Sequence, residues 1–160
     1  MPITPKYRKL TSEELTALEK EFIDYLIVNG ITADDWVKLK EEEPDKAEDI
    51  IKLFSDVVLE SVLRKVQYLE FRAAQDIKTF QCLTEKIVLV GMTTEEDSID
   101  FTDETFFTKA ARNSPSGVKV YTTDKAYHKT RELELFDMIQ AGCQIADGKL
   151  FKTLSVSLVG

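Results

Sequence analysis

Val62-Leu63-Arg64-Lys65-Val66-Gln67-Tyr68-Leu69-Glu70-Phe71-Arg72 is the stretch at which the hydrophobic period changes. Up to Val66 the apolar residues recur at three- and four-residue steps, the repeat of a helix. From Tyr68 they alternate, with Leu69 and Phe71 on one side and Glu70 and Arg72 on the other, the repeat of a strand. The chain therefore reads as helical before about residue 66 and sheet-rich after about 67.

Working back from that junction, Ile50, Ile51, Phe54, Val57, Val58, Val62 and Val66 trace one apolar stripe, and Leu53, Leu59 and Leu63 widen it beyond a single face. An arc so broad predicts a central helix with neighbours on more than one side, or one that supplies a dimer surface. It opens at Pro44 or Asp45, and Pro44 disfavours helix at Glu43, which keeps the preceding helix short. That preceding helix has Ile31, Thr32, Asp35 and Trp36 as staple, cap, first-turn acid and staple partner. Further upstream, Thr11 and Glu14 stand at capping-box spacing, with Leu10 and Leu15 as the staple. Leu15, Leu18, Phe22 and Leu26 continue at helical steps to Asn29-Gly30, predicting one helix over about 12–29.

Working forward, residues 77–82 and 87–92 are further strand candidates, and the connections 73–76 and 83–86 are hairpin-sized. An antiparallel meander is expected. Residues 93–117 are irregular, with six acids over 95–104, and Asn113-Ser114-Pro115-Ser116-Gly117 has the composition of a loop. Residues 118–122 read as a strand and about 125–141 as a late helix ending at Gly142. Asp147-Gly148 between two apolar runs predicts a C-terminal hairpin. The expectation is an α+β fold in which an N-terminal three-helix segment packs on a mainly antiparallel sheet. A length of 160 residues fits a single domain over 1–160, with a helical part about 10–66 and a sheet-rich part about 67–160.

The formal charge is −8, and it is unevenly spread. Residues 1–11 carry +3, whereas residues 12–56 hold fourteen acids against five lysines, a net of −9. That distribution repels phosphate backbones, so nucleic acid is not an expected partner. It is compatible with a basic protein partner or self-association, although solvated helix faces account for charge runs of this kind. The longest apolar runs, 25–28 and 87–90, fall far short of the roughly 20 residues that span a bilayer, and no secretory segment opens the chain. A cytoplasmic location is expected, with Cys82 and Cys143 as reduced thiols.

Motif-borne chemistry finds little support. His128 is the only histidine, no Gly-x-Ser-x-Gly elbow exists, and Cys82 and Cys143 stand sixty-one residues apart, which excludes a zinc ribbon or finger. Asp97, Asp100 and Asp103 recur at three-residue steps, but the EF-hand pattern of acids and turn glycine is missing. The six glycines are too scattered for a phosphate-cradling loop. Without such a loop, the Tyr-x-x-x-Lys spacing of Tyr121 and Lys125 is coincidental. Trp36, Phe22, Tyr25 and Phe54 lie at helical spacing and read as core. No catalytic, cofactor-binding or metal-ligating residue is assigned, and no cofactor is expected.

Four stretches carry a resemblance: 6–15 (KYRKLTSEEL), 29–36 (NGITADDW), Tyr68-Leu69-Glu70-Phe71-Arg72 and Ala146-Asp147-Gly148-Lys149-Leu150-Phe151. Together they resemble a family of short uncharacterised bacterial proteins classed as a domain of unknown function. The resemblance implies a bacterial cytosolic protein and transfers no functional residue. The sequence leads to a non-catalytic protein-interaction or scaffold domain rather than an enzyme. The alternative is a small cytosolic enzyme or ligand-binding protein whose carboxylates, Tyr or His128 are gathered by the fold, its small molecule unspecified.

Overall fold

The computed structural model describes residues 3–103, 105–106 and 117–159. Two compact units are present, residues 1–64 and 65–160, and their division falls within two residues of the expected helix-to-sheet junction.

In the first unit the helices are α1 (Ser12–Ala17), α2 (Glu19–Val28), α3 (Ala33–Glu42) and α4 (Pro44–Lys65). Local chemistry sets their starts. Thr11 Oγ1 accepts from Glu14 N–H at 3.2 Å while Glu14 Oε1 accepts from Thr11 N–H at 2.8 Å, so the capping box is complete. Thr32 and Asp35 close the same box, each bond at 3.1 Å, although aspartate replaces the usual Glu or Gln. Gly30, at φ 78°, ends α2 in a Schellman motif, with Ile31 N–H on Leu26 C=O and Gly30 N–H on Ile27 C=O.

The single helix expected over 12–29 is two. Leu18 N–H is shared between the Glu14 and Leu15 carbonyls, which tightens the turn and places Leu18 at φ −106°, ψ 23°. The apolar spacing runs straight through this break, which is why periodicity does not register it.

The basic N-terminal segment lies along the acidic face of α4. Asp49 accepts Ile3 N–H at 3.0 Å, and the two oxygens of Asp56 accept Lys6 and Tyr7 N–H at 2.8 and 3.0 Å. Glu60 takes Tyr7 OH at 2.7 Å and Lys6 Nζ at 3.0 Å, and Glu48 pairs with Lys9. Fully buried Ser55 accepts Leu10 N–H at 2.9 Å and donates to Ile51 C=O at 2.7 Å. Asp49, Asp56 and Glu60 follow an i, i+7, i+11 pattern, one face of a helix.

The second unit holds β1 (Tyr68–Arg72), β2 (Asp76–Cys82), β3 (Lys86–Thr94), β4 (Val118–Ala126), α5 (Arg131–Gln140), β5 (Gln144–Ala146) and α6 (Lys149–Val159). The strands form a five-stranded antiparallel sheet in the order β4-β3-β2-β1-β5. Its core lies on the face carrying Ile77, Val90 and Met92, where Phe151 and Leu154 of α6 and Phe101 close it. The α+β class and the meander are as the sequence implies.

Three expectations in this unit are corrected or fall outside the described residues. The late helix expected over 125–141 begins only at Arg131, because β4 pairs with β3 along its whole length as far as Lys86↔Ala126. Long-range ladder bonds take residues 125–126, which a local reading leaves to the helix, and the unassigned 123–124 before them. The C-terminal hairpin is absent as well. β5 pairs with β1, and Asp147 Oδ1 accepts Lys149 N–H at 2.9 Å to open α6. Gly148 sits at φ 87°, where an added Cβ would lie 2.5 Å from the Tyr68 ring. Leu150, Phe151 and Leu154 are spaced to face one way from a helix, and an Asp that accepts the N–H two residues on can open a helix as well as a turn. Of the loop read at 113–117, residues 113–116 lie outside the described residues, as does Glu104 of the acidic stretch.

Candidate functional site

The residues weighed for chemistry are dispersed. His128 is exposed in the β4–α5 connection, and its backbone N–H donates to Glu134 Oε1 at 2.7 Å. Burial pushes the Cys82 thiol up to about 11 and raises that of Cys143 too. Both thiols are therefore protonated near neutrality, the reverse of what a thiolate nucleophile needs. They are free cysteines, and Cys143 leads into β5 while Cys82 ends β2, on the far side of β1. Two strand spacings, about 9–10 Å, exceed the Cα separation of about 7 Å that a disulfide spans.

Asp97, Asp100 and Asp103 are exposed, and the last two serve turns. Asp97 accepts from Gln75, Asp100 takes Thr102 N–H at 2.9 Å, and Asp103 takes Thr105 N–H at 2.9 Å. Among the described residues no group of three His, Cys, Asp or Glu side chains is placed to hold a metal ion. Nor, among them, is any helix long and apolar enough to cross a membrane.

Tyr121 and Lys125 do not meet, since four residues along a strand separate them by about 13 Å. Lys125 Nζ instead lies 3.4 Å from the buried Glu134 carboxylate. Tyr121 stands in one row with Gly91 and Lys78 across β4, β3 and β2. Its ring covers Gly91, where an added Cβ would fall 2.2 Å from Tyr121 Cζ. The phenol donates to Asp76 Oδ1 at 2.8 Å and accepts from Lys78 Nζ at 3.0 Å, and Lys78 also pairs with Asp76. Burial, reinforced by Asp76, raises the phenol above its ordinary range against the opposing Lys78. Tyr121 thus stays a protonated strap between strands. Asp76 and Lys78 alternate onto one face of β2, but their meeting with Tyr121 comes through sheet register, of which sequence spacing gives no sign.

The helical unit offers a different kind of site. Phe22 packs edge-on against Trp36 and Phe54 at centroid distances of 5.1 and 4.9 Å, and Tyr25 lies 5.3 Å from Phe54. The core role expected for these four aromatics holds best for Phe54, which is buried; the other three rings are half-buried. Over Tyr25 and Phe54 runs an open groove of about 440 Å³ between α2 and α4. Leu18, Glu21, Asp24, Tyr25 and Val28 form one wall, and Phe54, Val57, Val58, Ser61 and Val62 the other. Val28, Val57 and Val62 are 85%, 55% and 43% exposed, so apolar groups that usually drive folding remain in contact with water. A smaller groove of about 260 Å³ lies on the other flank of α2, bounded by Phe22, Ile23 and Ile27 and by Trp36 and Val37 of α3.

The charged residues of the larger groove are both acids. Among the described residues neither Glu21 nor Asp24 is joined to a cation, whereas Glu48 and Glu60 of α4 are engaged by the N-terminal lysines. The broad apolar arc of α4, expected to mark a central helix or a dimer surface, supplies one wall of this groove. Which part of the arc would be left uncovered depends on where α2 lies, and that is not local information.

Neither the curated proteins nor the solved structures include one that matches this chain. Over residues 1–158 the chain matches DUF6495, a family of unknown function, and it belongs to that family.

Proposed function

We propose that this protein is a non-catalytic protein-interaction domain whose docking surface is the groove between α2 and α4. The observation that carries the reading is the exposure of Val28, Val57 and Val62 along one open, continuous apolar trough. Exposed contiguous apolar surface marks interaction sites, and a groove between two helices is a recurring form of them. The groove is an open trough without the enclosure by which small-molecule sites bury a ligand. A cytosolic, bacterial setting is part of the proposal; the free thiols and the family resemblance support it.

The test is site-specific photocrosslinking in cells of the source organism, with a benzophenone amino acid replacing Val57 of the groove or Glu41 of α3 outside it. The reading expects one discrete adduct from position 57 that position 41 does not form and that Val62→Asp removes. Equal labelling from both positions, or a metabolite that raises the melting temperature equally in wild type and Val62→Asp, would overturn it.

A further inference from the structure

We infer that the occupant of the α2–α4 groove is a cationic amphipathic helix of another protein, an inference that rests on the docking role proposed above. Shape argues first. Both walls are helices whose backbone groups are bonded internally, so neither wall offers the unpaired N–H and C=O row that strand addition needs. One wall runs from Leu18, just before α2, to Val28 at its end, about 15 Å at 1.5 Å per residue, and that on α4 from Phe54 to Val62, about 12 Å. A partner helix of roughly ten residues fills that length, with apolar anchors at i, i+3 or i+4, and i+7.

Charge then selects among helices. Glu21 and Asp24 are three residues apart on α2, one turn of one face, and both line the groove without a cationic partner among the described residues. The basic segment of this chain, with Lys6, Arg8 and Lys9, is already committed to Glu60, Glu14 and Glu48. The carboxylates of α4 that hold it, Asp49 and Asp56, are turned away from the face of Phe54, Val58 and Ser61 that lines the groove. A second copy of the chain is disfavoured as occupant. A two-fold contact would oppose the same patch, and hence bring together two segments of net −9 (residues 12–56), each carrying Glu21 and Asp24. Lysine or arginine beside the apolar anchors of a foreign helix meets those carboxylates instead, and the complementarity favours encounter as well as register.

Fluorescence anisotropy of the full-length protein with three labelled synthetic peptides tests this. The first carries leucines at i, i+4 and i+7 flanked by lysines, the second replaces its lysines with glutamates, and the third carries a central proline. The cationic helix is expected to bind at least tenfold more tightly than the other two in 50 mM salt, with the margin over the anionic peptide shrinking in 500 mM salt. Glu21→Lys with Asp24→Lys should reverse the charge preference, and Val57→Asp, at an exposed position that folding tolerates, should weaken every peptide. Equal binding of cationic and anionic peptides, both lost in Val57→Asp, refutes the charge inference and leaves the docking groove standing. Binding that Val57→Asp does not affect, binding of the proline peptide equal to that of the cationic helix, or no binding beside a positive crosslink at position 57 refutes the helical occupant. Concentration-dependent dimerisation abolished by Val57→Asp, or sedimentation with anionic lipid vesicles, assigns the groove to a second copy or a membrane and overturns the inference.

Discussion

Ser55 is a helical serine whose removal is expected to harm the protein although helix propensity says the opposite. Alanine is the better helix former by about 0.5 kcal/mol, so an exposed Ser→Ala in α4 should stabilise by up to that amount. At position 55 the side chain is fully buried, and its oxygen is the acceptor for the buried Leu10 N–H at 2.9 Å. Ser55→Ala leaves that N–H without a partner, at a cost of about 1–3 kcal/mol. The net expectation is destabilisation of about 1–2 kcal/mol after the propensity gain, or a fall of about 2–8 °C in Tm for a chain of this size. Urea unfolding should show a lower midpoint at unchanged slope. Ser61→Ala, exposed on the same helix, serves as the control and should be neutral or slightly stabilising. If Ser55→Ala proved as stable as wild type, the N-terminal segment would not be docked on α4 as described.

Three further expectations concern other parts of the fold. The Arg8 guanidinium, aided by Thr11 N–H, holds the Glu14 carboxyl at about 2, below its ordinary value of 4.5. A depressed acid stabilises the fold above the unfolded value, so this contribution is intact above about pH 4.5 and lost as pH falls towards 2. The pair is more than a third exposed and solvent-screened, so the effect is small; urea midpoints at pH 6 and pH 3 should converge slightly when Glu14→Gln is compared with wild type. Gly91→Ala should cost about 1–3 kcal/mol by displacing the Tyr121 ring, and the cost should largely vanish in a Tyr121→Ala background when melting temperatures are compared as a double-mutant cycle. Leu154→Ala should cost about 2–4 kcal/mol, whereas Val156→Ala should stay within about 0.5 kcal/mol, because only the former is buried. Comparable losses at 154 and 156, which would share a face in a strand, would favour the hairpin over α6.

Features governed by nearest neighbours were legible in sequence. Thr11 with Glu14, Thr32 with Asp35 and Asn29-Gly30 act within one turn, and each marks the helix end that it occupies. The alternation at Tyr68–Arg72 likewise identifies β1. What failed was decided over distance. Residues 123–126 join the sheet because β3 offers a ladder as far as Lys86, and nothing in Thr123-Asp124-Lys125-Ala126 signals that. Asp147-Gly148 supports two local outcomes, and packing of Phe151 and Leu154 against the sheet selects the helix. The site was half legible. The apolar arc of α4 and the charge step from +3 to −9 were visible, and the i, i+7, i+11 spacing of Asp49, Asp56 and Glu60 was an available sign of their common face. That the segment in front would cover this face, leaving the valines opposite to water, is a tertiary fact.

The most direct test of the docking groove is methyl-resolved NMR of the full-length protein titrated with the lysine-flanked amphipathic helix. Saturable shifts are expected on Leu18, Val28, Val57, Val58 and Val62, with Leu135, Leu154 and Ile77 unmoved. Shifts centred on the sheet, or none at peptide concentrations that saturate the anisotropy, would contradict it.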